Sequence, residues 1–176
     1  MVEDERVSRK KVAADPKLIF QSAEAFLNAC RTLDTATKRG NRFILPIVMA
    51  VNSALALELY LKCLCTIESG FFFKGHEFDE QYLDLSPSIK NELRRRHEKA
   101  EPNEFFAKMR ADGYKTDLDS LSKIGRDTFL HFRYAFEKDI AAKGAAWALD
   151  SFMLDVREII LDRHPEWTPI SYPAPR

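Results

Sequence analysis

The chain has 176 residues, 45% of them hydrophobic and 31% charged, which suits one domain with its own core and argues against an unstructured chain. Six glycines and eight prolines leave few positive-φ turns, which argues against an all-β chain of many hairpins. Lys+Arg and Asp+Glu both number 27, so no global field draws the protein to nucleic acid or to a membrane; a nucleic-acid site must come from a local patch.

Residues 1–14 are polar and read as a flexible N-terminus. They are charged and hold no apolar stretch, so they do not form a signal peptide, and a cytoplasmic protein is expected. Asp15-Pro16 starts the first helix: Asp can cap, and Pro suits the first helical position. Leu18, Ile19, Ala23, Phe26, Leu27 and Cys30 follow at steps of three and four, one apolar face of a helix ending near Arg39-Gly40.

From Phe43 to Ile67 the chain is apolar almost all round. The length would span a bilayer, but Asn52, Ser53, Glu58 and Lys62 interrupt it, and charges at membrane depth are costly. A central helix of a bundle, with no membrane partner, is the better reading. Pro46 stands near its start and Gly70 caps its end. Three cysteines, Cys30, Cys63 and Cys65, fall inside helices. Their odd count and the single residue between the last two fit neither a metal site nor a redox pair, and they read as small buried apolar groups.

After an aromatic turn, FFFKGHEF, the segment EFDEQYLDL suggests a short helix, and Ser86-Pro87 starts another through SIKNELRRRHEKA. EFFAKMRA forms a short stretch bounded by Pro102 and Gly113. A long helix is expected from Asp117 through Leu121, Ile124, Phe129, Phe132 and Phe136, and a last one from about Ala145 to Asp162, carrying Ala148, Phe152, Leu154, Val156, Ile159 and Ile160. The domain is therefore placed at 15–163, with an extended Pro-rich tail at 164–176. The expected fold class is all-α: an up-and-down helical bundle of four long helices, with short helices between helices two and three.

Glu58 and Lys62, four apart on the second helix, read as a structural polar pair that needs partners where it is buried. Lys90, Arg94, Arg95, Arg96 and Lys99 outnumber Glu92 and Glu98, a patch that could hold phosphates, although such runs more often simply face water. His97 within it reads as an exposed bystander, and His76 in GHEF as local turn structure. The sharpest signal is Arg126-Asp127-Thr128-Phe129-Leu130-His131. On a helix Asp127 and His131 share a face, so the carboxylate can fix the imidazole's tautomer. Arg126 lies roughly 140° around and about 7.5 Å along the axis from His131, a gap that its long side chain or a second chain can bridge. His can move a proton to or from a ribose or leaving oxygen, and Arg can hold a phosphate, without a metal or other cofactor. On spacing alone, a surface or capping role is the more ordinary reading.

Two segments together resemble a known family. ALALELYLKCLCTIESG followed by GHEF is similar to the signature of the HEPN domains (higher eukaryotic and prokaryotic nucleotide-binding domains), and R-D-T-F-L-H-F-R-Y to that family's Arg–polar–His motif. The resemblance spans roughly residues 16–162. It implies a homodimer in which paired motifs meet in a shared cleft, acting as a metal-independent endoribonuclease of a toxin–antitoxin or anti-phage system. Carried over, Arg126 and His131 are the catalytic pair and Asp127 the polar residue beside them. Arg94, Arg95, Arg96 and Arg133 are expected RNA phosphate contacts. The implied partners are RNA, a second copy and a nucleotidyltransferase-like antitoxin. The alternative is a non-catalytic interaction or scaffold module that binds a protein or nucleotide partner.

Overall fold

A computed structural model describes residues 9–37, 45–100, 104–124 and 143–167. Among these, seven helices and one pair of two-residue strands appear: β1 (Lys11–Val12), α1 (Pro16–Thr37), α2 (Leu45–Ser69), β2 (Phe72–Phe73), α3 (Phe78–Asp84), α4 (Pro87–Ala100), α5 (Glu104–Ala111), α6 (Leu118–Ile124) and α7 (Lys143–Arg163). The fold is all-α. Three helices exceed twenty residues: α1, α2 and α7. The expected long helix from Asp117 is described as α6 alone, and the rest of it lies outside the described residues.

The termini of these helices follow local chemistry. The Asp15 carboxylate accepts the Lys17 N–H at 2.9 Å, which caps α1. Pro46 falls in the first turn of α2, where a missing N–H breaks no helical bond. Gly70 ends α2 in the left-handed region at φ +76°, its N–H on the Thr66 carbonyl at 2.8 Å. Ser86 precedes Pro87 and accepts the Ile89 N–H at 3.3 Å, while Glu68 from the end of α2 accepts the Ser86 N–H at 3.1 Å. Asp117 caps α6, accepting the Ser120 N–H at 2.8 Å.

α1 and α2 lie along each other, α7 packs on α2 and α4, and α3 and α6 close the remaining side. One core fills the space between, built from Phe20, Ala23 and Leu27 of α1, Leu57, Tyr60, Leu61 and Leu64 of α2, Tyr82 of α3, Ile89 and Leu93 of α4, and Phe152, Val156 and Ile160 of α7. A second, smaller cluster joins Phe106 and Met109 of α5 to Leu121 of α6. From Val48 to Ser69, α2 is long and apolar enough to cross a membrane, and half of that stretch is buried inside the protein.

Four expectations are corrected. Leu18 and Leu154, read as core positions, are exposed, on the side of their helices opposite the buried face. The N-terminus is not loose as far as residue 14: Lys11 and Val12 pair antiparallel with Phe73 and Phe72, and Arg9 bonds Asp84 at 2.5 Å. The tail does not extend directly from residue 164. The Trp167 N–H returns to the His164 carbonyl at 2.9 Å, and the indole packs in the core 5.6 Å from Phe20. His97, read as exposed, is almost fully buried.

Candidate functional site

Glu58 and Lys62 stand one turn apart on the buried half of α2, and Lys62 Nζ donates to Glu58 Oε1 at 2.6 Å. Both side chains are at least nine-tenths buried, so the pair is a low-dielectric one and each charge needs the other. A third member comes from the turn after β2. His76 Nδ1 lies 3.0 Å from Glu58 Oε1 and 3.3 Å from Oε2, with its ring two-thirds exposed. The turn is held for this: Gln81 donates to the Gly75 carbonyl at 3.2 Å, and Glu77 accepts the His76 N–H at 3.2 Å. Lys62 Nζ also sits 5.3 Å from the Phe72 ring centroid, a cation–π contact that offsets part of its lost hydration. The reading of His76 as purely local structure does not fit this geometry, because its partner lies eighteen positions back on another element. One carboxylate thus joins a buried ammonium to a solvent-facing imidazole, an arrangement able to orient that imidazole.

The α4 arginines do not form one phosphate patch. Arg94 makes a two-pronged contact with Asp119 of α6, at 3.2 and 3.0 Å. Arg96 reaches Glu92 at 2.9 Å, Glu158 at 3.2 Å and Asp162 at 2.6 Å, bracing α4 against α7. Arg95 is exposed and in no described ion pair. Carboxylates therefore already hold two of the four expected phosphate contacts, Arg94 and Arg96. Arg126, Asp127, His131 and Arg133 lie outside the described residues; α6, the element leading to them, ends at Ile124 and packs on α3, α4 and α7.

Two buried polar clusters have no counterpart in the sequence reading. In the first, Glu24 of α1 is fully buried and accepts from Tyr60 Oη of α2 at 2.5 Å and from Arg157 Nε and Nη2 of α7 at 2.5 and 3.2 Å. Burial and the Glu24 carboxylate drive the Tyr60 hydroxyl far above its ordinary pKa, so it is a permanent donor. The available signal was a glutamate on the apolar face of α1, between Phe20 and Leu27. In the second, His97 Nε2 lies 2.6 Å from the Thr116 carbonyl, and the ring stands edge-on to Phe106 at 5.1 Å. Burial and Glu158 push the nearby Asp155 carboxyl up to about 6, against the pull of Arg96 and His97. The available signal was helical spacing: His97 follows Ile89 and Leu93 at steps of four on the buried face of α4, although its immediate neighbours in sequence are charged.

All three thiols are buried and free, as their sequence context implies. Burial raises each, Cys63 and Cys65 to about 12, so they are protonated and poorly nucleophilic at neutral pH.

Comparison of the chain with protein-family models, with curated proteins and with solved structures finds no match.

Proposed function

We propose that the protein is a metal-independent endoribonuclease of the HEPN type, working as a cytoplasmic homodimer whose paired Arg126–His131 motifs meet in one cleft. One observation carries this reading: the two parts of the signature, ELYLK and GHEF, are in contact through Glu58, Lys62 and His76. A chance pairing of two short motifs has no reason to place their polar residues within 3.0 Å of each other. The reading includes a bundle whose fourth long helix continues α6 and carries Arg126, Asp127 and His131.

In this proposal His131 takes the proton from a ribose 2′-hydroxyl. The 2′-oxygen attacks the adjacent phosphorus, the bond from phosphorus to the 5′-oxygen breaks, and the 5′-oxygen leaves with the proton that His131 took up, giving a 2′,3′-cyclic phosphate and a 5′-hydroxyl. Arg126 holds the phosphate as negative charge builds on it, and Asp127 orients the imidazole. The system served would be a toxin–antitoxin or anti-phage one, with a nucleotidyltransferase-like partner. A second reading, the non-catalytic interaction module, is favoured by the pairing of Arg94 and Arg96 with carboxylates, which commits two of the α4 arginines to contacts within the protein.

The test is cleavage of a mixed RNA pool in EDTA by wild type, His131→Ala and Arg126→Ala. Loss of a general acid or base commonly costs about 10²–10⁴-fold in rate, so both variants should be inactive with fold and dimer intact. Equal cleavage by wild type and His131→Ala, or none by any of them, refutes the ribonuclease.

A further inference from the structure

The ribbon of β1 and β2 has two unlike faces. Phe72 packs against the core and beneath Lys62, so by the two-residue alternation of strands Phe71 and Phe73 lie on the opposite face. Their rings meet edge to face at 5.4 Å and are only half-buried. Cations are seated on them: Lys11 Nζ is 4.3 Å from the Phe71 centroid and 5.9 Å from that of Phe73, and the Arg9 guanidinium is 4.6 Å from Phe73. Arg9 is pinned by Glu80 and Asp84. Lys10, Lys11 and Lys74 are exposed and in no described ion pair, and the Lys74 N–H bonds the Lys10 carbonyl at 2.8 Å, which brings their chains side by side.

We infer that this outer face of the ribbon, with Phe71, Phe73, Lys10, Lys11 and Lys74, is a docking surface for single-stranded RNA. Ammonium groups beside half-buried aromatic rings match a polyanion that carries planar bases. A base stacking on Phe71 displaces the Lys11 ammonium, which then pairs with a flanking phosphate, so a cation–π contact is exchanged for a stack and an ion pair. An anionic membrane fits less well: the rings are half-sunk and capped by cations, leaving no apolar wedge to insert. The ribbon runs straight into the turn that carries His76. The choice of RNA rests on the ribonuclease reading; the binding itself does not.

The experiment is fluorescence anisotropy with a labelled 2′-O-methyl oligouridylate, which cannot be cut because its 2′-oxygen is blocked. The Lys10→Gln/Lys11→Gln/Lys74→Gln triple variant should bind more weakly, with a shallower log–log dependence on salt. The slope should fall by up to about 2, at about 0.7 for each single-strand phosphate that a lysine no longer neutralises. Phe71→Leu keeps an apolar side chain and removes the stacking face. It should weaken binding about 5- to 150-fold with the slope unchanged. Wild-type affinity and slope in the triple variant overturn the inference, as does lysine-dependent binding to phosphatidylserine vesicles without binding to the oligonucleotide. If ordinary RNA is not cut while the blocked strand binds through these residues, the ribonuclease reading fails and the ribbon stands. If RNA is cut but the variants bind as wild type does, the reverse holds.

Discussion

Glu24→Ala should be among the most damaging single changes in the protein. Glu24 is fully buried and its two oxygens receive Tyr60 and both prongs of Arg157, so one side chain joins α1, α2 and α7. Alanine removes three charge-assisted hydrogen bonds and leaves the Arg157 guanidinium, 14% exposed, without its carboxylate. Breaking a buried pair from one side costs about 3–5 kcal/mol, most of it the desolvation of the partner left behind. For a domain of this size that lowers Tm by roughly 6–20 °C. Urea unfolding should show the midpoint falling with an unchanged m-value, since the surface exposed on unfolding hardly alters. The double variant Glu24→Leu/Arg157→Met removes both charges and should lose less than Glu24→Ala alone. A loss under about 1 kcal/mol for Glu24→Ala, or a double variant worse than either single change, would refute the view of Glu24 as the buried counter-charge of Arg157.

Glu58→Ala strands the Lys62 ammonium in the same way and should cost about 3 kcal/mol in urea unfolding, whereas His76→Ala, on the exposed side, should cost under about 1 kcal/mol; the opposite order would reverse their roles. Asp155 titrates near 6 when folded against 3.8 as a free group, so the folded state binds more protons across that interval and this carboxyl's contribution to stability falls as pH rises through it. Asp155→Asn should therefore flatten the pH dependence of the urea midpoint between those values and raise the midpoint at neutral pH; an unchanged profile would show that Asp155 does not carry it. The three thiols should resist alkylation in the native protein at neutral pH and react fully in denaturant, as mass spectrometry would read out; a rapidly labelled native cysteine would contradict their burial.

Helix positions were legible because they are local. The cap at Asp15, Pro at first turns, Gly70 at a helix end and apolar residues at steps of three and four act within one or two turns, and α1, α2, α3, α4, α5 and α7 begin and end close to where these signals stand. The Glu58–Lys62 pair was legible for the same reason: residues four apart on a helix are neighbours whatever surrounds them. The R-D-T-F-L-H motif was equally easy to read, and its geometry falls outside the described residues.

What folding alone decided lies between elements distant in sequence. His76 looks like a turn residue until the turn is laid against α2, and His97 looks solvated until Thr116 and Phe106 close over it. Arg94 and Arg96 look like free positive charge until α6 and α7 bring Asp119, Glu158 and Asp162 to them. Glu24 meets an arginine 133 positions away. A charge announces its type in the sequence but not its partner. The partner is fixed by which helix faces pack together, and that is set by the fit of Phe20, Tyr60, Tyr82 and Phe152 in the shared core.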